Sequence, residues 1–181
     1  MTSPSKILYV IVCAAGPAAH VGRLATDAQQ HHWDVRIIAT PAALGFVDSE
    51  ALQALTGAPV RSHYRRPGEP RTPRADAIIV APATYNTINK WALGVSDTYA
   101  LGILAEAPAL HIPVVALPFV NSALASRTPF RSSVTALRAE GVRVLLGPGQ
   151  FEPHPPGTGQ DRLNSFPWRR ALAAVDETII S

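Results

Sequence analysis

The sequence is short of cysteine and of charged side chains, and both shortages exclude functions. Cys13 is the only cysteine among the 181 residues, which excludes an intramolecular disulfide and a thiolate metal cluster. Charged residues make up 16% and hydrophobic residues 47% of the chain. This balance indicates one well-buried domain that also buries surface against copies of itself, and we expect that domain to comprise residues 1–181.

Membrane, metal and nucleic-acid signals are also missing. The apolar run near the N-terminus stops at Gly16 and Pro17, well short of a bilayer span, and no small-residue cleavage site follows it. We therefore expect a cytoplasmic protein with no membrane partner. No histidine has a partner at metal-ligand spacing, so no metal site is predicted. The basic cluster Arg61–Arg74 could serve anionic ligands but is more typical of a solvated loop, and no nucleic-acid partner is expected.

Apolar, β-branched runs alternate with segments of helical periodicity along the chain. Strict alternation predicts right-handed βαβ crossovers and a parallel sheet. The predicted fold is therefore α/β, a Rossmann-like three-layer sandwich with a five- to six-stranded parallel sheet. The predicted strands are Ile7–Cys13, Val35–Ala39, Asp76–Ala81, Val114–Leu117 and Val142–Leu146, and the predicted helices are Ala18–Gln30, Asp48–Leu55, Thr87–Glu106, Arg131–Glu140 and Trp168–Val175.

Three segments have no regular pattern and are expected to be irregular: residues 59–74, 122–130 and 147–167. The last is rich in proline and glycine and is predicted to form a flap or a partner-contacting arm.

Ligands of parallel sheets bind beyond the carboxyl ends of the strands, so the loops that follow the strands hold the candidate site. Small residues, Ala14–Ala19, follow the first strand; they would let a phosphate or a ring approach the backbone, or they form only a tight turn. They do not form the G-x-G-x-x-G dinucleotide fingerprint. After the third strand comes Ala81–Lys90 (APATYNTINK), whose hydroxyls and amides can cap a helix and bond a ligand.

Pro82–Thr87 closely resembles the P-A-S-A-N-T motif of the homo-oligomeric flavin-containing cysteine decarboxylases, a family that includes phosphopantothenoylcysteine and peptidyl-cysteine decarboxylases. Thr87–Asp97 is similar to the family's continuation of that motif, T-I-x-K-x-A-x-G-x-x-D. Leu117–Asn121 resembles its A-P-A-M-N segment, and Thr40–Phe46 its T-x-x-A-x-x-F segment. These matches occur in the family's order over residues 6–146.

The resemblance implies FMN held between protomers of a trimer or of a dodecamer built from trimers. It places Ala15 and Gly16 at the phosphate end, and Thr40 and Phe46 near the isoalloxazine. The residues it implies as cofactor-binding are Ala15, Gly16, Thr40, Phe46, Thr84, Tyr85, Asn86, Thr87 and Phe119. In decarboxylating members Asn86 and Asn121 would face the substrate carboxylate, and the substrate would be a small molecule or a peptide.

The sequence departs from the family at three places. The family's catalytic histidine would align with Gly68, and His63 is the histidine in that segment that could replace it. Val120 stands where the second motif has methionine, and no cysteine follows Cys13, although the bacterial pantothenate-pathway enzymes use one late in the domain. His63 joins Asn86 and Asn121 as a candidate catalytic residue.

Three functions remain open from these residues. The first is oxidative decarboxylation of a cysteine-containing substrate with FMN as the electron sink. The second is a flavin-binding subunit or regulator that has lost decarboxylation, which the missing histidine favours. The third is prenylation of FMN, although relatives with that activity carry a different, P-C-S-like string.

Overall fold

The computed structural model describes residues 6–180 and contains one five-stranded parallel sheet with the strand order β2-β1-β3-β4-β5. Residues 1–5, which begin the N-terminal segment discussed above, lie outside the described residues. The α/β Rossmann-like fold predicted from the alternation is confirmed. The strands are β1 (Lys6–Val12), β2 (Trp33–Ala39), β3 (Ala77–Ala83), β4 (Val114–Pro118) and β5 (Arg143–Val144).

Helices cover both faces of the sheet and make the three layers. The helices are α1 (Gly22–Gln30), α2 (Ser49–Thr56), α3 (Tyr85–Ala92), α4 (Tyr99–Glu106), α5 (Ser122–Ala125), α6 (Thr128–Ala139) and α7 (Trp168–Ile180). Short 3₁₀ helices span Gly16–His20, Pro41–Gly45 and Gly159–Arg162. None of the helices within residues 6–180 is both long and apolar enough to cross a bilayer.

The three central strands, β1, β3 and β4, are largely apolar on both faces because both faces are buried, as in other parallel sheets with helices on each side. In β1, Leu8, Val10 and Val12 pack beneath α1, α2 and α7. The alternate side chains Tyr9 and Ile11 pack beneath α3, α4 and α6. The period of two in β1 therefore divides its residues between two cores, one on each side of the sheet.

Two predicted segments differ from the observed ones. The single helix predicted over Thr87–Glu106 is divided into α3 and α4, because Gly94 has a φ of 72° and ends α3 in a left-handed conformation. Residues 122–130, expected to be irregular, contain α5 and the first turn of α6. Asn121 begins α5 by accepting a hydrogen bond from the Leu124 amide at 2.9 Å.

Candidate functional site

A cavity of about 570 Å³ lies at the carboxyl ends of β1 to β4, and we call it the carboxyl-edge cavity. Parallel strands bring the loops that follow them to one edge, so residues from distant parts of the sequence meet there. Its described lining is made of small, hydroxyl-bearing and aromatic residues with one charged side chain. The lining residues are Ala14, Ala15, Thr40, Pro41, Ala42, Thr84, Tyr85, Asn86, Thr87, Lys90, Thr98, Leu101, Phe119, Val120 and Leu124.

Backbone hydrogen bonds continue the sheet beyond the strand ends and fix the loops around the cavity. The Cys13 amide donates to the Pro82 carbonyl at 3.1 Å, and the Thr40 amide donates to the Val12 carbonyl at 2.9 Å. The Phe119 amide donates to the Ala83 carbonyl, also at 2.9 Å. The walls of the cavity are thus part of the sheet's hydrogen-bond network.

Thr84 caps α3 and at the same time lines the cavity. Its Oγ1 accepts a hydrogen bond from the Thr87 amide at 3.3 Å and donates to Thr87 Oγ1 at 3.1 Å. Thr87 and Thr84 act on the buried Cys13 thiol by lowering its pKa. Burial raises the pKa of Cys13 and outweighs their effect, so the thiol is neutral. The hydroxyls of Thr84 and Thr87 therefore lie beside a buried, neutral thiol.

The structure brings together in this cavity most of the residues that the resemblance implies as cofactor-binding. Ala15, Thr40, Phe119 and the whole of residues 84–87 line it. Within that string Thr87 is buried and Asn86 is exposed. Tyr85 is half-buried because its ring stacks on Phe130, with centroids 5.4 Å apart.

Gly16 and Phe46 are not among the lining residues of the carboxyl-edge cavity. A Cβ at Gly16 would lie 2.7 Å from Leu163 Cδ2, so the glycine accommodates the Leu163 side chain. Phe46 follows the 3₁₀ helix Pro41–Gly45 and is 46% exposed. The contact of Gly16 and Phe46 with a bound cofactor stays a prediction.

Asn121 and His63, two candidate catalytic residues, also lie outside the lining. The Asn121 side-chain oxygen is engaged as the cap of α5. His63 is exposed in the irregular segment that follows Arg61, whose backbone pairs with Ile38 of β2. Gly68, where the family's histidine would align, is exposed with a φ of 89°. No imidazole of residues 6–180 lines the cavity.

The predicted flap at residues 147–167 packs against the sheet edge beside the cavity. Phe151 and Phe166 enclose the Phe119 ring, with centroids 6.2 Å and 5.7 Å from it. The His154 ring lies 4.7 Å from the Phe119 ring, and the His154 carbonyl accepts a hydrogen bond from the Ser122 amide at 2.7 Å. The segment thereby supports the Phe119 wall from behind.

Two features of the site were not predicted from the sequence. Lys90 is the one charged residue in the described lining and forms an ion pair with Asp97. The lysine of the T-I-x-K-x-A-x-G-x-x-D motif was the sequence signal from which Lys90 could have been predicted as a site residue. His154 is buried, and its Nδ1 has no hydrogen-bond partner among the described residues. Burial and then the nearby Arg162 lower the pKa of His154. A lone histidine between prolines carries no sequence signal for this environment.

Within residues 6–180 no group of three or more histidine, cysteine, aspartate or glutamate side chains is close enough to hold a metal ion. The polar groups that the cavity offers are hydroxyls, amides and one ammonium, which suit an organic cofactor with an anionic part.

Sequence comparison gives the family and several relatives. The model of the Flavoprotein family matches residues 2–161. The coenzyme A biosynthesis bifunctional protein CoaBC of Thermococcus kodakarensis is 28% identical over 147 residues, covering 77% of this chain and 36% of the relative. A probable phosphopantothenoylcysteine decarboxylase of Streptococcus mutans is 26% identical over 149 residues, covering 77% of this chain and 81% of the relative. The chain thus spans about a third of the CoaBC relative.

Solved structures of similar fold include several flavoenzymes. The FMN-dependent cysteine decarboxylase TvaF from thioviridamide biosynthesis has a TM-score of 0.69 at 25% identity, over 78% of this chain and 90% of that one. The FMN-dependent cysteine decarboxylase SpaF has a TM-score of 0.68 at 20% identity, over 93% and 98%. A PPC decarboxylase mutant complexed with pantothenoylaminoethenethiol has a TM-score of 0.67 at 17% identity, over 89% and 96%.

The family model covers most of the chain, and its match includes every loop that lines the carboxyl-edge cavity. Relatives named as phosphopantothenoylcysteine decarboxylase and neighbours named as FMN-dependent cysteine decarboxylases agree with the motifs found in the sequence. The chain belongs to the Flavoprotein family and is similar to its phosphopantothenoylcysteine decarboxylases, and the cofactor class of that family is a flavin.

Proposed function

We propose that the protein binds FMN in the carboxyl-edge cavity and catalyses oxidative decarboxylation of a cysteine-containing substrate, which would make it a lyase. The observation that supports the proposal is that the Pro82–Thr87 motif, through its residues 84–87, lines one cavity together with Ala15, Thr40 and Phe119. The alanines let a flat ring approach the backbone, while the threonine and asparagine side chains can bond its polar edge.

The cavity fits a flavin monophosphate better than a dinucleotide. Its volume of about 570 Å³ lies in the range of a single small-ligand site. Lys90, ion-paired with Asp97, is the one cationic residue in the described lining, and the small residues after β1 leave the backbone accessible. No glycine-rich dinucleotide fingerprint follows β1, so a second phosphate has no corresponding cradle. Ala15 and the small residues around it would therefore hold the monophosphate end.

Bound FMN would supply the two-electron sink for oxidation of the carbon that carries the sulfur. Loss of a hydride from that carbon and of the thiol proton would give a thioaldehyde. Cleavage of the Cα–carboxylate bond would then release carbon dioxide and leave its electron pair in an enethiolate, which would take up one proton to become the enethiol. In this chain, the hydroxyls of Thr84 and Thr87 would orient the ring, and Asn86, exposed at the mouth, would bind the substrate. Phe119, packed against residues 147–167, would exclude water from one wall.

The first experiment identifies the cofactor and the reaction together. The purified protein should be yellow and should release FMN rather than FAD on denaturation. An anaerobic single turnover with a peptide ending in cysteine should bleach the visible flavin absorbance and release one carbon dioxide for each flavin. A colourless protein that FMN cannot reconstitute would overturn the proposal.

The missing histidine defines a second candidate, a flavin-binding protein without decarboxylase activity. The observation in its favour is that no imidazole among residues 6–180 lines the cavity and that Gly68 is exposed. Under this alternative the same single turnover leaves the flavin oxidised and the peptide mass unchanged, although FMN is bound. The experiment therefore separates the two functions.

We also propose that the protein acts as a homo-oligomer, a trimer or a dodecamer, in the cytoplasm. Leu93 is 78% exposed and Val95 is 39% exposed, and both follow α3 directly beyond the site. Leu124, which lines the cavity, is 37% exposed. Apolar side chains exposed beside a ligand site favour coverage by a second subunit.

A further inference from the structure

A second cavity, of about 680 Å³, lies on the α3–α4–α6 side of the sheet, toward the amino ends of β3 and β4. Three tyrosines and three arginines characterise its lining, and we call it the arginine–tyrosine cavity; they are Tyr9, Tyr64, Tyr99, Arg65, Arg71 and Arg74. It shares no described lining residue with the carboxyl-edge cavity, so the proposed function makes no use of it.

The tyrosines form an aromatic wall. The Tyr64 ring meets the Tyr99 ring edge-on, with centroids 5.2 Å apart. The Tyr64 hydroxyl lies directly over α4, because a Cβ at Gly102 would be only 2.1 Å from it. The Tyr9 hydroxyl donates to the Pro73 carbonyl at 2.6 Å, and burial, followed by the neighbouring Tyr99, raises the pKa of Tyr9 to about 12. Tyr9 is therefore a neutral part of this wall.

Much of the remaining lining is aliphatic, and its apolar members are Ala75, Ile78, Ile103, Leu110 and Ile112. The volume of about 680 Å³ lies in the range of small-ligand sites. An aromatic ring bound between the tyrosines and these side chains would remove apolar surface of both molecules from water. The uncharged part of the cavity therefore favours a ligand with a ring.

Ion pairing distinguishes the arginines of this cavity from two of their neighbours. Arg36 forms an ion pair with Asp34, in which Nη2 lies 2.7 Å from Oδ2, and Arg61 lies 3.8 Å from a Glu69 carboxylate oxygen. No carboxylate within residues 6–180 forms an ion pair with any of the three arginines of the cavity. Their positive charge is therefore available to a ligand.

Most of the guanidinium donors at the cavity are also free. Arg65 donates to the Glu69 backbone carbonyl at 2.9 Å, and Arg74 donates to the Leu110 backbone carbonyl. The Arg71 side chain makes no hydrogen bond with any residue that the structure describes. A guanidinium has five N–H donors, so each of the three can still bind an anion.

The balance of charge favours a phosphate over a carboxylate. Glu106 is the only acidic residue in the described lining, so three arginines against one glutamate leave a formal charge of +2. A phosphate monoester has about two negative charges near neutral pH and three strong acceptor oxygens, whereas a carboxylate has one negative charge. A phosphate monoester would therefore neutralise the lining.

We propose that the arginine–tyrosine cavity binds a small aromatic phosphate monoester with the chemistry of a nucleoside monophosphate. Its phosphate would accept charge-assisted hydrogen bonds from Arg71 and the neighbouring arginines, and its ring would pack against the tyrosine wall. The site is separate from the carboxyl-edge cavity, and binding there does not depend on the reaction proposed for that cavity.

The binding test uses protein that has been saturated with FMN and freed of unbound flavin, because FMN is itself an aromatic phosphate monoester. Isothermal titration calorimetry with AMP should detect one site per chain, without release of FMN. Adenosine, which lacks the phosphate, should bind at least about tenfold more weakly. Phenyl phosphate should likewise bind at least about tenfold more tightly than benzoate, because benzoate carries one charge less.

Substitutions place the binding in this cavity. Arg71→Gln should weaken AMP binding about tenfold, as expected for one lost charge-assisted hydrogen bond. Arg71 is exposed and makes no side-chain hydrogen bond within residues 6–180, so the variant should fold normally. Tyr64→Ala should also weaken AMP binding, whereas Tyr64→Phe, which keeps the ring, should bind AMP as the wild type does.

The matched control is Arg66→Gln. Arg66 belongs to the same exposed segment and carries the same charge, but it is not in the cavity lining. Its substitution should change the AMP dissociation constant by less than about twofold. Equal losses from Arg66→Gln and Arg71→Gln would reveal general electrostatic attraction and would overturn the proposal.

Three further results would also overturn it. The first is no binding of AMP, or equal binding of AMP and adenosine. The second is release of FMN by AMP, which would place the nucleotide in the carboxyl-edge cavity. The third is a phosphotyrosine peptide that binds at least about tenfold more tightly than AMP, which would assign the cavity to a modified protein instead of a small molecule.

Discussion

At the scale of single residues, threonine hydroxyls perform two tasks in one place. Thr84 accepts the Thr87 amide as the cap of α3 and also lines the carboxyl-edge cavity. Asp48 caps α2 in the same way, accepting the Ala51 amide at 2.9 Å, but it does not line that cavity. Substitutions at Thr84 and at Asp48 can therefore separate the effect of a lost helix cap on stability from the effect of a lost hydroxyl on ligand binding.

Thr84→Ala should lower the free energy of unfolding by about 1 kcal/mol, the usual cost of a lost N-cap. It should also reduce the flavin content of the purified protein. Asp48→Ala should lower the unfolding free energy by a similar amount and leave the flavin content unchanged. Urea unfolding and flavin absorbance measure the two effects, and equal loss of flavin in both variants would show that stability alone controls binding.

His63 is the histidine that could replace the one the family places at Gly68. Because His63 is exposed and absent from the lining, His63→Ala should leave the rate of peptide decarboxylation within about twofold. A general base contributes about 10²–10⁴-fold, so a lost base would be evident in single-turnover kinetics. His32→Asn, at another exposed histidine, is the control. A drop of a hundredfold or more in His63→Ala alone would show that the loop supplies the base.

At the scale of elements, Gly94 determines that α3 and α4 are two helices. Its φ of 72° lies in the left-handed region, and its backbone amide closes α3 by donating to the Trp91 carbonyl at 3.0 Å. The break lets Thr98 begin α4 and lets both helices contribute to the carboxyl-edge cavity.

Gly94→Ala should destabilise the protein by about 1–2 kcal/mol, the cost of placing a side chain in the left-handed conformation. Gly45→Ala is the matched control, because Gly45 has no positive φ and open space around its Cβ position. In urea unfolding, the free energy of unfolding of the Gly45→Ala control should stay within about 0.5 kcal/mol of the wild-type value. A small effect of Gly94→Ala would mean that the turn adapts without the left-handed residue.

The segment 147–167 contains the buried His154, whose pKa is lowered first by burial and second by Arg162. The folded state therefore favours the neutral imidazole. Its contribution to stability is complete above the unfolded value of about 6.5 and is lost as the pH falls through the lowered folded value.

Acidification from pH 7.5 toward pH 5 should consequently lower the melting temperature and release this segment from Phe119. Limited proteolysis within residues 147–167 and thermal melts at each pH give the measurement. His154→Phe, which preserves the ring contact with Phe119, should show a smaller loss of melting temperature over the same range. Parallel pH profiles for the two proteins would contradict the assignment to His154.

At the scale of the whole molecule, several apolar side chains are exposed, among them Leu93, Val95 and Leu124. Leu93→Lys places a charge at the most exposed of them and should shift the assembly toward monomers in light scattering. It should also lower the flavin content if subunits share the cofactor. Ala173→Lys, at an exposed position of α7 on the opposite face of the sheet, should leave the assembly intact. A wild-type monomer that retains FMN would refute the oligomer proposal.

The parallel sheet and much of the candidate site could be predicted from the amino-acid sequence alone. Runs such as Ile7–Val12 are apolar on both faces only where helices cover both faces, so periodicity was sufficient to predict them. Because parallel strands end at one edge, the loops containing Ala15, Thr40 and Thr84 had to meet, whatever the details of packing.

Features that depend on contacts between distant residues could not be predicted from the sequence and became visible in the folded structure. Leu163 packs at Gly16, and His154 packs on Phe119; neither pairing has a local signal, since each partner is an ordinary residue in its own segment. The contact of Tyr64 with Gly102 of α4 likewise joins two segments that are far apart in the sequence. Local sequence encodes backbone propensity and burial pattern, whereas such pairings depend on which surfaces the completed fold brings together.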